Sequence, residues 1–239
     1  MSPRRVGILG GMGPEATVLL MQKLIAAVPA KDDADHIPLI VDQNTQVPSR
    51  IRHLIVGVGE DPGLALAGMV RRLQAAGAEA LAMPCNTAHH YTPHIRSAAF
   101  VPFIDMVALA IAQARRRVQP GGKVGILASP ALQRIALFDR PLEAAGLRAA
   151  HAPEPDVMLA AIRAVKAGGP SPATRAVLVA ASRALLAQGA TVQVIACTEF
   201  SLMADAVAAG AEVFDTLDVL VDGIVAFALG TEARADNAA

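Results

Sequence analysis

The sequence predicts an α/β fold: two pseudo-symmetric three-layer α/β domains with mostly parallel sheets, facing each other across a cleft. Three observations carry this. Short runs rich in Val, Ile and Leu alternate with longer Ala- and Leu-rich stretches, the pattern of buried parallel strands whose two faces are covered by helices. The segment RRVGILGGMGP from Arg4 is echoed by GKVGILASPA from Gly122, with the two GIL triplets 118 residues apart. The only two cysteines, Cys85 and Cys197, stand 112 residues apart in a second echo, AAGAEALAMPCNTAHH from Ala75 and AQGATVQVIACTEFSL from Ala187. Two similar units in tandem account for both echoes, and each unit puts one thiol just past a strand.

Along the chain, the apolar runs predict strands at 6–9, 38–42, 80–83, 103–105, 124–127, 148–151, 192–195 and 213–214. The stretches between them predict helices at 15–28, 63–76, 88–98, 107–118, 131–145, 157–167, 173–188, 201–208 and 217–229. Gly77-Ala78 and Gly189-Ala190 end the helices that lead into the two cysteine-bearing strands, and Pro84 stops the first of those strands. The Pro120-Gly121-Gly122 turn opens the second unit, and the last helix is expected to return to the first. The expected domains are therefore 1–105 plus 210–239, and 106–209, with hinges at 105–120 and 200–212. The loop 43–62 has few helix or strand signals, and loops of that length are often functional. The tail from Thr231 to Ala239 is expected to fray.

Composition narrows the function. Hydrophobic residues make up 54% of the 239, above the roughly 45–50% of ordinary globular chains, so a sizeable core is assured. Lys plus Arg equals Asp plus Glu at 21 each. No net field recruits nucleic acid or an anionic membrane, and Arg115-Arg116-Arg117 reads as a solvated helix end. The glycines that follow Arg4 and Arg5 interrupt the apolar stretch too early for a signal peptide. No apolar run approaches the roughly 18 residues of a membrane span. A cytoplasmic, reducing location with two free thiols is the expectation.

The chemistry-bearing residues cluster at strand ends. A thiol at a helix N-terminus has its thiolate stabilised by exposed N–H groups, which predicts lowered pKa values for Cys85 and Cys197. Two opposed thiols suit a reaction in which a proton leaves one face of a carbon and returns on the other. The plain alternative, buried inert cysteine, fits one such residue better than two at matched strand ends. In the opening loop, Gly11, Gly13 and Ala16 satisfy a dinucleotide fingerprint, followed by Asp32, Asp33 and Asp35. Against it, Pro14 removes a backbone donor and the acidic cluster precedes the second strand, so a small carboxylate suits the loop better. Cys85 with His89, and with His90 and His94 nearby, raises a zinc reading that lacks a close third ligand, while a structural role beneath the Cys85 loop suits these histidines too. Arg50 can grip a carboxylate bidentately or be an exposed loop cation. Lys166 can be an ordinary cation at a helix end. Glu199 can cap a helix or meet a substrate amino group.

Taken together, GILGGMGPEAT from Gly7, DHIPLIVDQNTQVPSR from Asp35, MPCNTAHHY from Met83, VGILAS from Val124, VKAG from Val165 and ACTEF from Ala196 resemble the aspartate/glutamate racemase family. The likeness is to its aspartate racemase branch. The resemblance implies a cofactor-independent amino-acid racemase with no metal, its small acidic substrate between the domains, and a homodimer. It implies Cys85 and Cys197 as paired acid and base, with Met12, Arg50, Asn86, Thr87, Lys166, Thr198 and Glu199 around the substrate. Glutamate racemases of the family typically carry CTH and an Asp-Ser pair where this chain has CTE and GGM, which argues against glutamate as the main substrate. Other proton-transfer enzymes of the superfamily (hydantoin racemase, maleate isomerase, decarboxylase-like) and a non-catalytic amino-acid binding protein are the alternative readings.

Overall fold

The computed structural model describes residues 2–230, so the tail expected to fray lies outside the described residues. The first sheet has four parallel strands, β1 (Val6–Gly10), β2 (Leu39–Gln43), β3 (Ala80–Ala82) and β4 (Phe103–Ile104), in the order β2-β1-β3-β4. The second has β5 (Lys123–Leu127), β6 (Arg148–His151), β7 (Val192–Ile195) and β8 (Glu212–Asp215), in the equivalent order β6-β5-β7-β8, also parallel. All eight expected strands are present, with ends displaced by at most one residue. The inner strands β1, β3 and β7 are buried throughout, while β2 and β6 at the edges are partly exposed. Continuous apolar runs make such strands because both faces of a parallel sheet are covered.

The GIL echo has a packing reason. A methyl group on Gly7 would stand 2.8 Å from the Ala78 Cβ, and one on Gly125 would stand 2.9 Å from the Gln193 Cγ. Each unit needs its glycine where the first strand meets its closest neighbours.

Around the first sheet lie α1 (Pro14–Ala27), α2 (Pro62–Ala75) and α3 (Thr92–Ala98). Around the second lie α4 (Met106–Arg117), α5 (Pro130–Arg134), α6 (Asp139–Ala144), α7 (Pro155–Gly168) and α8 (Pro172–Ala187), while α9 (Thr198–Ser201) and α10 (Thr216–Leu229) follow β7 and β8. Proline in the first turn of α1, α2, α5, α7 and α8 sets φ where no N–H is needed. Asp61, Asp105, Ser129, Ser171 and Asp215 accept the free N–H groups at the starts of α2, α4, α5, α8 and α10.

The chain changes sides at its end. β8 pairs with β7 in the second sheet, but Leu217, Leu220, Val221 and Ile224 of α10 pack with Val6, Ile8, Leu20 and Leu24 of the first half. The stretch from 210 that sequence assigned to the first unit therefore begins with a strand of the second, and the crossing comes at α10. Strand pairing is a tertiary choice that a short apolar run does not encode.

Three expected helices differ. The helix at 131–145 is broken at Ala136 (φ 51°) into α5 and α6. Pro141 cannot donate into a continuous helix, and the break delivers Phe138 and Leu142 to the second core. The helix at 88–98 is a tight turn, Thr87–Tyr91, followed by α3, since Pro93 removes a donor at the join. At 201–208 there is only the single turn α9, beginning earlier at Thr198, followed by turns. The loop 43–62 contains a wide helical turn, Arg52–Val56. No helix among the described residues is long and apolar enough to cross a membrane.

Candidate active site

β3 and β7 hold the same place in their sheets, each beside the first strand of its half. Their carboxyl ends deliver Cys85 and Cys197 to one cavity of about 60 Å³. Its lining includes Met12, Arg50, Cys85, Asn86, Thr87, Lys166, Cys197, Thr198 and Glu199, all nine residues singled out from sequence. A larger cavity of about 320 Å³ between α7 and α8 is lined mainly by Ala, Val, Met and Pro, with Glu154 its one charged residue. It lacks the convergent polar groups that chemistry requires.

Ser49, Ile51, Ser129, Ile162 and Ala196 also line the thiol cavity. Ser129 was legible in principle, because the 118-residue offset of the GIL echo carries Gly11 onto it. Ser49 and Ala196 stand inside the segments DHIPLIVDQNTQVPSR and ACTEF without having been singled out, and Ile51 and Ile162 stand in no motif.

The two thiols have different surroundings. The Cys197 Sγ donates to Glu199 Oε2 at 2.9 Å, and Glu199 Oε1 lies 3.1 Å from Lys166 Nζ. Burial first, and the Glu199 charge second, push the Cys197 thiol well above its ordinary value. This corrects the expectation that a helix N-terminus lowers it. α9 has only four residues and Cys197 makes no side-chain cap bond, so desolvation and a neighbouring carboxylate dominate. Burial pulls the Lys166 ammonium down, but Glu199 and the sulfurs of Cys85 and Cys197 outweigh it and hold Lys166 above its usual value.

Cys85 lies in a tighter bend. Its carbonyl accepts a hydrogen bond from His89 Nδ1 at 2.8 Å, and burial lowers the pKa of His89, which keeps the imidazole neutral. His89 Nε2 stands 3.8 Å from Asp105 Oδ1, and Asp105 also binds Arg96 at 3.0 Å. The Asn86 Nδ2 donates to Thr216 Oγ1 at 2.9 Å, and that hydroxyl donates to the Ile195 carbonyl at 3.1 Å. This chain links the Cys85 loop to the strand that carries Cys197. It leaves Asn86 Oδ1 buried without a hydrogen-bond partner among the described residues.

The second half has a counterpart to His89. Ser201, four residues after Cys197, donates to Asp215 Oδ1 at 2.9 Å, which also accepts from the Leu217 N–H. Burial pushes Asp215 up to about 7.

The glycine-rich loop is partly committed to structure. Gly11 adopts φ +87° against the Asn44 backbone, and its N–H donates to Thr17 Oγ1 at 3.0 Å. Gly13 instead lies beside two carboxylates: a methyl there would lie 3.4 Å from Glu15 Oε2 and 3.7 Å from Glu199 Oε1. Arg50 Nη1 donates to the carbonyls of Val47 and Pro48. Asp42, in β2, is paired with Arg72 at 2.8 Å, and His94, weighed for zinc, with Asp61 at 3.7 Å. No three His, Cys, Asp or Glu side chains among the described residues converge as a metal-ligand set.

Residues 9–224 match the family model of Asp/Glu/hydantoin racemases. A broad specificity amino-acid racemase of Bacillus subtilis (strain 168) is 27% identical over 150 residues, 61% of this chain and 63% of that protein. The match thus spans less than two thirds of that relative. Among solved structures, Picrophilus torridus aspartate racemase has a TM-score of 0.84 at 23% identity, covering 97% of this chain and 96% of that one. An aspartate racemase homologue from Pyrococcus horikoshii OT3 has 0.74 at 21%, covering 95% and 99%. Francisella tularensis glutamate racemase in complex with D-glutamate has 0.64 at 12%, covering 98% and 86%. At these identities the likeness establishes the two-domain α/β fold.

Proposed function

The chain belongs to the Asp/Glu/hydantoin racemase family, and on that premise we propose that it interconverts L- and D-aspartate, or a close acidic amino acid, by two-base proton transfer without a cofactor. The observation that carries this reading is one cavity lined by both thiols together with two cations and one carboxylate, Arg50, Lys166 and Glu199. Aspartate has the complementary set: two carboxylates and one ammonium.

In this mechanism one cysteine, as thiolate, removes the α-proton, and the other, as thiol, protonates the opposite face. Glu199 holds the Cys197 proton in the resting state, which makes Cys197 the ready acid and Cys85 the base for one enantiomer. For the other enantiomer the roles exchange. Cys197 must then lose its proton first, against the neighbouring Glu199 charge and with Lys166 to offset it. The α-proton is far less acidic than a thiol, so the carbanion needs about 10 kcal/mol or more of electrostatic stabilisation. The Thr87 and Thr198 region, with the Asn86 Nδ2 hydrogen not committed to Thr216, is suited to the α-carboxylate. Arg50 and Lys166 are suited to the side-chain carboxylate. A homodimer and a cytoplasmic location belong to the same proposal, and sedimentation of the purified protein tests the first.

The deciding experiment is a chiral assay over a panel of L-amino acids in D2O. Inversion of aspartate accompanied by one α-deuterium in the product is the expected result. Ligand binding with neither inversion nor α-exchange would instead make this a binding protein, and inversion confined to neutral amino acids would move the substrate class.

A further inference from the structure

One wall of the cavity is lightly held. Ser49, Arg50 and Ile51 line the cavity, yet no residue from 48 to 61 is buried. The wide turn Arg52–Val56 ends at Gly57 (φ +75°), and Gly59 follows at φ +104°; nothing lies within 4 Å of where a Cβ would stand on either. Segments with few buried contacts open at low free energy, and two left-handed glycines in open space allow this one to swing. Wide turns of this kind recur at functional sites.

Leu54 rests against the first core, and one side-chain bond ties the turn from each half. From the first half, the Tyr91 hydroxyl shares a 2.7 Å hydrogen bond with His53 Nδ1. From the second half, Arg134 Nη1 donates to the Ile55 carbonyl at 2.8 Å. Ile55 lies at the carboxyl end of the turn, where carbonyls lack helical partners and a cation is favoured. Arg134 is the last residue of α5, and the residue that caps the start of α5, Ser129, lines the cavity. One short helix of the second half thus touches the cavity at one end and grips the Arg50 segment at the other.

We propose that the turn at 50–56 is a movable strap over the cleft and that Arg134 is its catch, a positioning residue that fixes Arg50 for substrate binding from the opposite half. The kinetic part of this inference rests on the racemase reading; the structural part does not. Arg134 is exposed, so Arg134→Ala and Arg134→Lys retain the fold.

Two measurements test it. In the free protein, hydrogen–deuterium exchange of peptides spanning 50–58 should speed up in Arg134→Ala, with the rest of the chain unchanged. With aspartate, KM should rise about five- to tenfold, the net worth of about one ordinary hydrogen bond, while kcat changes by less than about twofold. Arg134→Lys keeps a donor for the Ile55 carbonyl and should recover most of both effects. Unaltered exchange at 50–58 would overturn the catch, as would kcat and KM moving together or a lysine variant no better than alanine. Should the wild-type protein racemise nothing, the racemase reading falls, and the exchange result alone decides for or against the catch.

Discussion

The Cys85 and Cys197 loops begin from the same geometry and end in different chemistry. Each follows the third strand of a four-stranded parallel sheet and is about equally buried, at 7% exposure. After Cys197 the backbone closes at once into α9, and the Cys197 carbonyl accepts from the N–H groups of Phe200 and Ser201. After Cys85 the turn starts one residue later, with the His89 N–H on the Asn86 carbonyl, and the Cys85 carbonyl is satisfied by the His89 imidazole instead. A side chain does in one half what the main chain does in the other. The thiols differ as well: Cys197 donates to Glu199, whereas the Cys85 thiol makes no hydrogen bond to another described residue. The two halves offer equivalent positions, and the local sequence leaves one thiol bonded to a carboxylate and the other without such a partner among the described residues.

The largest expected effect tests whether both halves are needed. Cys85→Ser and Cys197→Ser should each lower racemisation by about a thousandfold or more with the circular dichroism spectrum unchanged. Racemisation near the wild-type rate in Cys197→Ser would reduce the comparison to one thiol and a spectator.

Next comes the support beneath each loop. His89→Ala removes a buried ring and strands the Cys85 carbonyl, and should cost about 2–4 kcal/mol in urea unfolding. Ser201→Ala removes a smaller group and one hydrogen bond to Asp215, and should cost about 1 kcal/mol. Equal costs would mean that the imidazole is no more than a packing residue.

Glu199 sharpens the comparison at the level of protonation. In a Cys85→Ser background, Glu199→Gln removes the charge that helps hold the Cys197 thiol high. The pH profile of iodoacetamide labelling at Cys197 should move to lower pH, so that the reaction at neutral pH becomes faster. In a Cys197→Ser background the same substitution should leave the rate of Cys85 labelling at neutral pH unchanged. Bound aspartate should slow labelling of both.

The smallest effect concerns the wall over the cavity. Arg50→Lys keeps the charge but loses the bidentate fork, and should lower kcat/KM for aspartate by about fivefold while sparing alanine and serine. Equal losses for acidic and neutral substrates would assign Arg50 to the α-carboxylate or to the loop.

Much of this arrangement was legible because it is written in local signals. Buried parallel strands read as apolar runs, and the two echoes located both thiols and the halves that carry them. What escaped depends on partners distant in sequence. A short run such as Glu212–Asp215 does not reveal which sheet it joins. Lys166 read as a helix-end cation, and only the meeting of α7 and α9 pairs it with Glu199. The expected thiol pKa failed at Cys197 because burial and a carboxylate two residues away outweigh one helical turn. Arg134 sits in a segment read as one continuous helix, and its partner at Ile55 lies 79 residues earlier.

The crossing of α10 has a consequence for how the chain can be divided. Val6, Ile8, Leu20 and Leu24 are covered by a helix that arrives only after the whole second sheet has been made. A cut at the Pro120-Gly121-Gly122 turn yields an amino-terminal fragment with that apolar face bare to water, and a carboxy-terminal fragment whose last helix has lost its seat. Each fragment expressed alone should aggregate, and the two co-expressed should recover a soluble complex. The two halves repeat one strand order, yet a helix that follows the second sheet closes the core of the first.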